Sequence, residues 1–123
     1  MDEQQWPADW LRGVLPLCVL AVVAEGPTYG YAVAQRLHDA GLGTIKGGTL
    51  YPVLTRLEQE GLLRSSWREG EGGPGRKYFA LTAAGRSGLD DRTTAWRVFT
   101  DRAARVLDPV HPYLTPTDGR VTS

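Results

Sequence analysis

Five side chains between Thr49 and Gln59 carry the densest chemistry in this 123-residue chain. Thr49, Tyr51, Thr55, Arg56 and Gln59 offer hydroxyls, an aromatic ring, a guanidinium and an amide. Such groups suit phosphate oxygens and base edges better than a catalytic cleft. What would put them on one surface is the apolar complement: Leu50, Val53, Leu54 and Leu57 fall at the three-and-four spacing of a helix that buries one stripe. The stretch Lys46 to Leu63 therefore reads as a helix whose outer face is built to meet double-stranded DNA.

Catalytic groupings are sparse. His38 and His111 are the only histidines and Cys18 the only cysteine. No Ser-His-Asp grouping or metal-ligand spacing accompanies them, so no enzyme activity, metal or cofactor is expected. The glycine-rich run Glu69 to Gly75 lacks the strand-before, helix-after context of a phosphate loop. A single cysteine excludes an internal disulfide, and in its apolar run it reads as a small hydrophobe in a reducing cytoplasm. Val14 to Ala24 is about half the ~20 residues a membrane span needs, and Asp2, Glu3 and Asp9 precede it in place of basic residues. It reads as a core helix, neither a membrane anchor nor a signal peptide.

Fourteen basic and fourteen acidic residues balance, but unevenly along the chain. Residues 1–45 carry a net charge of minus three and residues 46–77 plus two. The weak positive field thus coincides with the candidate reading helix.

The elements that must hold this helix follow in order. Residues 1–9, interrupted by Pro7, read as an arm. A first helix is expected from Trp10 to Ala24; Leu11, Leu15, Cys18 and Val22 mark one stripe and other apolar residues fill the rest, so a second subunit could supply part of its cover. After Gly26 and Pro27, Thr28 is placed to cap a second helix from Tyr29 to about Ala40. The connector Gly41 to Gly48 has Ile45 as its apolar plug. The third helix is expected to start near Gly48 or Thr49, which puts Pro52 close to its start, and to end at Gly61.

Leu62 to Arg68 and Arg76 to Leu81 alternate as strands, and Glu69 to Gly75 reads as an irregular hairpin tip. Three helices followed by a hairpin make a winged helix-turn-helix over residues 10–82, mainly α with a small β-hairpin. Thr82 can cap a final helix over 83–107, where Leu89, Trp96, Phe99, Ala103 and Val106 form a heptad-like seam. Such a helix either packs on a partner, as a dimerisation helix, or folds back on its own domain. Residues 108–123, with three prolines, read as a disordered tail.

The ordered strings GPTYGY (Gly26 to Tyr31), GTLYPVLTRLEQEGL (Gly48 to Leu62) and GPGRKYFALTAAGR (Gly73 to Arg86), together with Leu15 to Val23 and Trp67, resemble the PadR family of bacterial transcriptional regulators over about residues 11–98. The single final helix is similar to the smaller subgroup of that family. The resemblance implies a homodimeric repressor in which each final helix packs on the partner's first helix. Two recognition helices would then meet a roughly palindromic operator about one helical turn apart, ~34 Å, or a multiple of it. It also implies a small aromatic or amphipathic effector near the dimer interface. Thr55, where relatives often carry a basic residue, and the acidic Glu69 and Glu71 depart from a strongly basic reading surface.

Each singled-out residue has two readings. Tyr51 and Thr49 could face bases or phosphates, or serve hairpin contact and capping. Arg56 could meet phosphate or pair with Glu60. Lys46, Arg76 and Lys77 are sequence-blind phosphate ligands or solvated loop charges. Tyr29 and Tyr31 could each offer a hydroxyl to phosphate, Tyr31 more naturally being part-buried, while Trp67 would anchor the wing in the core. Trp96 and Phe99 could line an effector cavity, with Trp10 or Trp6 nearby, or be plain dimer core. The competing function is a winged helix used as a protein-interaction module.

Overall fold

In the computed structural model of the protein, residues 5–70 and 72–108 are described. Helix α1 spans Ala8–Val23, strand β1 Thr28–Tyr29, α2 Gly30–Leu37, α3 Gly47–Gln59, β2 Leu63–Gly70, β3 Gly73–Leu81 and α4 Ala83–Leu107. The strands form one antiparallel sheet in the order β1-β3-β2. The fold is a winged helix: three helices and a hairpin around one core, followed by a longer helix. One compact unit runs to Asp90 and a second begins at Asp91. The expected tail and His111 lie outside the described residues, apart from Asp108.

The core explains why these segments form helices. Leu15, Val19, Leu20 and Val23 of α1 meet Val33 and Leu37 of α2, Leu50, Leu54 and Leu57 of α3, and Leu63 and Phe79 of the hairpin. All are buried, each large one contributing about 1.5–3 kcal/mol relative to exposure. Ile45 plugs the connector as expected, at 7% exposure. Leu15 is corrected by this arrangement. Read as a possible interface residue, it is 1% exposed in the core of a single chain and has no surface to offer a partner.

Several local expectations are also corrected. α1 begins two residues earlier than predicted, with the N–H groups of Trp10 and Leu11 bonded to the Pro7 carbonyl at 3.0 and 3.2 Å. Thr28 does not cap α2, because it and Tyr29 are extended and paired with Phe79 and Tyr78 of β3. Helix α2 stops at Leu37 and continues as one wide π-type turn, His38–Leu42. Pro52 lies six residues into α3, since that helix starts at Gly47. The predicted irregular tip is mostly strand, because β2 runs on to Gly70 and β3 starts at Gly73, and these two residues pair across a bulge. Strand pairing there is carried by backbone groups, which glycine supplies as well as any residue.

Thr82 performs the predicted cap. Its hydroxyl accepts a 2.9 Å bond from the Gly85 N–H and donates a 2.6 Å bond to the Gly61 carbonyl, joining the end of α3 to the start of α4. Gly85 is buried where a Cβ would collide with the Leu62 carbonyl. The spacing Leu81-Thr82-x-x-Gly85 is therefore a close-packed corner.

Candidate nucleic-acid interface

The buried stripe of α3 leaves Thr49, Tyr51, Thr55, Arg56 and Gln59 exposed, as the spacing predicted. Lys46 occupies the N-cap position of α3, is exposed, and makes no side-chain cap bond. The Thr49 N–H bonds the Lys46 carbonyl at 2.9 Å, so Thr49 is inside the helix and its hydroxyl is not the cap. Arg56 sits 3.9 Å from Glu60, a loose and exposed pair that contributes little.

Tyr51 is 51% exposed, yet one side of its ring rests on Gly30 at the start of α2. A Cβ on Gly30 would fall 2.6 Å from the ring carbon that bears the hydroxyl. The two tyrosine-glycine strings of the sequence therefore touch each other, and α2 fixes the direction of the Tyr51 ring.

The register sorts the wing into two faces, since residues opposite one another on paired strands share a face. On one face Tyr29 stands opposite Tyr78, their rings 5.3 Å apart. The Arg76 guanidinium lies 4.4 Å from the centre of the Tyr29 ring and that of Arg68 lies 4.2 Å from Tyr78. These cation-π contacts orient two arginines along the sheet while leaving their N–H groups at the rim. On the opposite face Lys77 stands beside Trp67, past the point where the core ends. Lys77 lies 3.7 Å from Glu58 of α3, whose other carboxylate oxygen accepts a 2.6 Å bond from the Ser65 hydroxyl.

Between the start of α2, Tyr51 and this second face of the wing lies a cleft of about 430 Å³, with Tyr31, Trp67 and Lys77 in its wall. Two expectations fail here. Trp67 does not anchor the wing in the core but is 72% exposed, and Tyr31 is 70% exposed instead of part-buried. Both join Tyr51 as aromatic surface beside cationic groups. Sequence reasoning left Trp67 and Arg68 out of the candidate surface and favoured part-burial over a phosphate contact for Tyr31. The alternation that pairs Trp67 with Ser65 and Leu63 gave its face correctly but could not say how far the core extends along the strand.

The remaining candidates concern the helices. Cys18 and Leu89 are half-buried against the core, and burial pushes the Cys18 thiol up, keeping it protonated and unreactive at neutral pH. Trp10 is 62% exposed with its ring 6.2 Å from that of Trp6, whose Nε1–H donates to the Gly41 carbonyl at 2.9 Å. In the second compact unit the rings of Trp96 and Phe99 are 5.6 Å apart, Phe99 and Val106 are 61% and 77% exposed, and Ala103 is exposed as well. Among the described residues there is no group of three His, Cys, Asp or Glu placed to hold a metal ion, and no helix is long and apolar enough to cross a membrane.

Comparison with known proteins agrees with this architecture. Residues 19–91 match the family model of the PadR-like transcriptional regulators. The transcriptional regulator Rv3488 of Mycobacterium tuberculosis is 37% identical over 100 residues, covering 80% of this chain and 88% of that protein. Among solved structures, a PadR family transcriptional regulator from Eggerthella lenta is 38% identical with a TM-score of 0.74, over 81% of this chain and 87% of that one. A Streptococcus transcriptional regulator is 34% identical with a TM-score of 0.70, over 81% of this chain and 98% of the other. With a winged helix whose third helix and wing bear these side chains, and a family match over residues 19–91, the chain belongs to the PadR-like family of transcriptional regulators.

Proposed function

We propose that the chain acts in the cytoplasm as a homodimeric, sequence-specific DNA-binding repressor that a small aromatic or amphipathic effector releases from its operator. The observation that carries the DNA reading is the exposed face of α3: Thr49, Tyr51, Thr55 and Arg56 stand clear of the core, with Lys46 at its start and the wing's Arg76 and Lys77 beside it. Tyr51, Thr49 and Arg56 read bases and nearby phosphates; Lys46, Arg76 and the Tyr29 hydroxyl hold the backbone, while Lys77, paired with Glu58, adds positive charge beside it without a direct phosphate contact. The dimer reading rests on Trp96, Phe99, Ala103 and Val106, spaced three, four and three along α4 and bearing apolar surface that water covers poorly. Their aromatic pair also suits a planar effector.

Electrophoretic mobility shift with the DNA upstream of the chain's own gene tests this. A sequence-selective, salt-sensitive shift that Tyr51→Ala abolishes supports the repressor. A protein-interaction module, to which the neutral net charge gives some support, would show no salt-sensitive, sequence-selective shift.

A further inference from the structure

Helix α3 carries a second feature on the side facing α1. Between the two helices runs a groove of about 360 Å³, within the size range that holds small ligands. Its walls are apolar, formed by Leu11, Pro16, Pro52 and Val53. The polar groups at its edge are the guanidiniums of Arg12 and Arg56 and the hydroxyl of Thr49, all able to donate, with no carboxylate in the lining.

This combination selects a ligand chemistry. An apolar body gains by leaving water for the proline and leucine walls, at about 25 cal/mol per Å² of apolar surface removed from water. A guanidinium presents five N–H donors and no acceptor, and pairs best with a planar carboxylate. Arg12 spends one nitrogen on Asp9, at 2.7 Å, and Arg56 meets Glu60 only at 3.9 Å, so each retains donors for a ligand. Ala8 and Thr49 lie in the first turns of their helices, where the helix dipole also favours negative charge. A cation would meet two like charges at this rim, and a neutral apolar molecule would leave them unused.

We propose that the groove between α1 and α3 binds a small amphipathic carboxylate, and that occupancy excludes DNA because Arg56 and Thr49 belong to both sites. The second half of this statement rests on the DNA-reading role proposed above; the first half does not. This places an antagonist site against the reading helix itself, distinct from the aromatic pair at Trp96 and Phe99. A ligand carboxylate takes the Arg56 guanidinium away from phosphate and adds negative charge where the DNA backbone must approach. Release then needs no change in subunit arrangement.

The probe is 4-phenylbutyrate, with 4-phenylbutanol as its uncharged counterpart, titrated into the full chain without DNA and followed by amide chemical shifts and calorimetry. Shifts should concentrate at Leu11, Val53 and Arg56, and the alcohol should bind about tenfold more weakly, the value of one charge-assisted hydrogen bond. Arg12→Gln should cost about the same factor. Ala8→Trp, at an exposed position on the groove edge, should block binding while leaving the fold intact. In a second measurement, 4-phenylbutyrate should displace a fluorescent operator from the unmodified chain and not from Ala8→Trp. No binding at millimolar probe, or binding indifferent to both Arg12→Gln and Ala8→Trp, overturns the site. Binding in the groove with no displacement of bound operator overturns the exclusion. A chain that binds the probe but no DNA overturns the repressor reading and leaves the ligand site standing.

Discussion

Lys77 on β3 holds its ammonium 3.7 Å from the carboxylate of Glu58 on α3. The same carboxylate accepts the Ser65 hydroxyl of β2 at 2.6 Å, so one side chain of α3 ties down both strands of the wing. The pair is less than half exposed on either side, and ion pairs of this sort contribute about 0–1 kcal/mol. Its larger consequence is that Lys77 is held back from phosphate. Glu58→Gln keeps an acceptor for Ser65 and frees the ammonium. Affinity for DNA of every sequence should then rise, and the salt dependence steepen by about one unit of slope. Anisotropy titrations on operator and scrambled duplexes over a salt series measure both, and a gain confined to the operator would show that Lys77 reads bases.

Gly30 and Tyr51 make the second prediction. With ring atoms of Tyr51 occupying the place of a Cβ, Gly30→Ala must push the ring or α2 aside, an overpacking cost of about 1–3 kcal/mol. In the Tyr51→Ala background the obstacle is gone, so most of that cost should disappear. Denaturant melts of the four chains form the cycle. Equal losses in both backgrounds would mean that the ring moves away freely, leaving its direction on α3 unfixed.

How far the sequence could be read depended on whether a signal was local. The α3 stripe was legible because Leu50, Val53, Leu54 and Leu57 repeat within one helix, and Thr82 because a cap acts over three residues. Strand β1 was not: two residues have no periodicity, and Thr28 and Tyr29 are extended only because β3, fifty residues later, pairs with them. The wing ran further than predicted for a related reason, since the glycines of its tip lower β propensity while the ladder carries on past Arg68 and Arg76 to pair Gly70 with Gly73. Trp67 exposed the limit of alternation, which assigns a face but not burial. A stripe of apolar residues likewise cannot say whether it meets its own chain or another, and this is why Leu15 was misread.

That correction makes a third prediction. Because Leu15 is packed inside one chain, Leu15→Ala should destabilise the fold by about 2–5 kcal/mol through lost contacts and the cavity left behind. Thermal melts should show the loss. Sedimentation equilibrium below the melting range should show the subunit affinity little changed. A variant that dissociates while melting normally would return Leu15 to the interface.

The fourth prediction concerns Trp96 and Phe99. Their rings meet at a tilt of 46°, 5.6 Å apart, on a helical segment whose Phe99, Ala103 and Val106 are all exposed, and most helical stability in proteins comes from a packed face. Replacing both aromatics by glutamine removes the largest apolar surfaces of the seam without a helix breaker. The expected result is dissociation in sedimentation velocity together with reduced helical circular dichroism. Operator affinity should fall steeply as well, because two half-site contacts no longer act as one bivalent event. Arg97→Gln, one residue along on the exposed surface, is the control that should do none of this. If the double variant remains a dimer with full helicity, the seam is not the interface, and the operator's half-site spacing must be set by another surface.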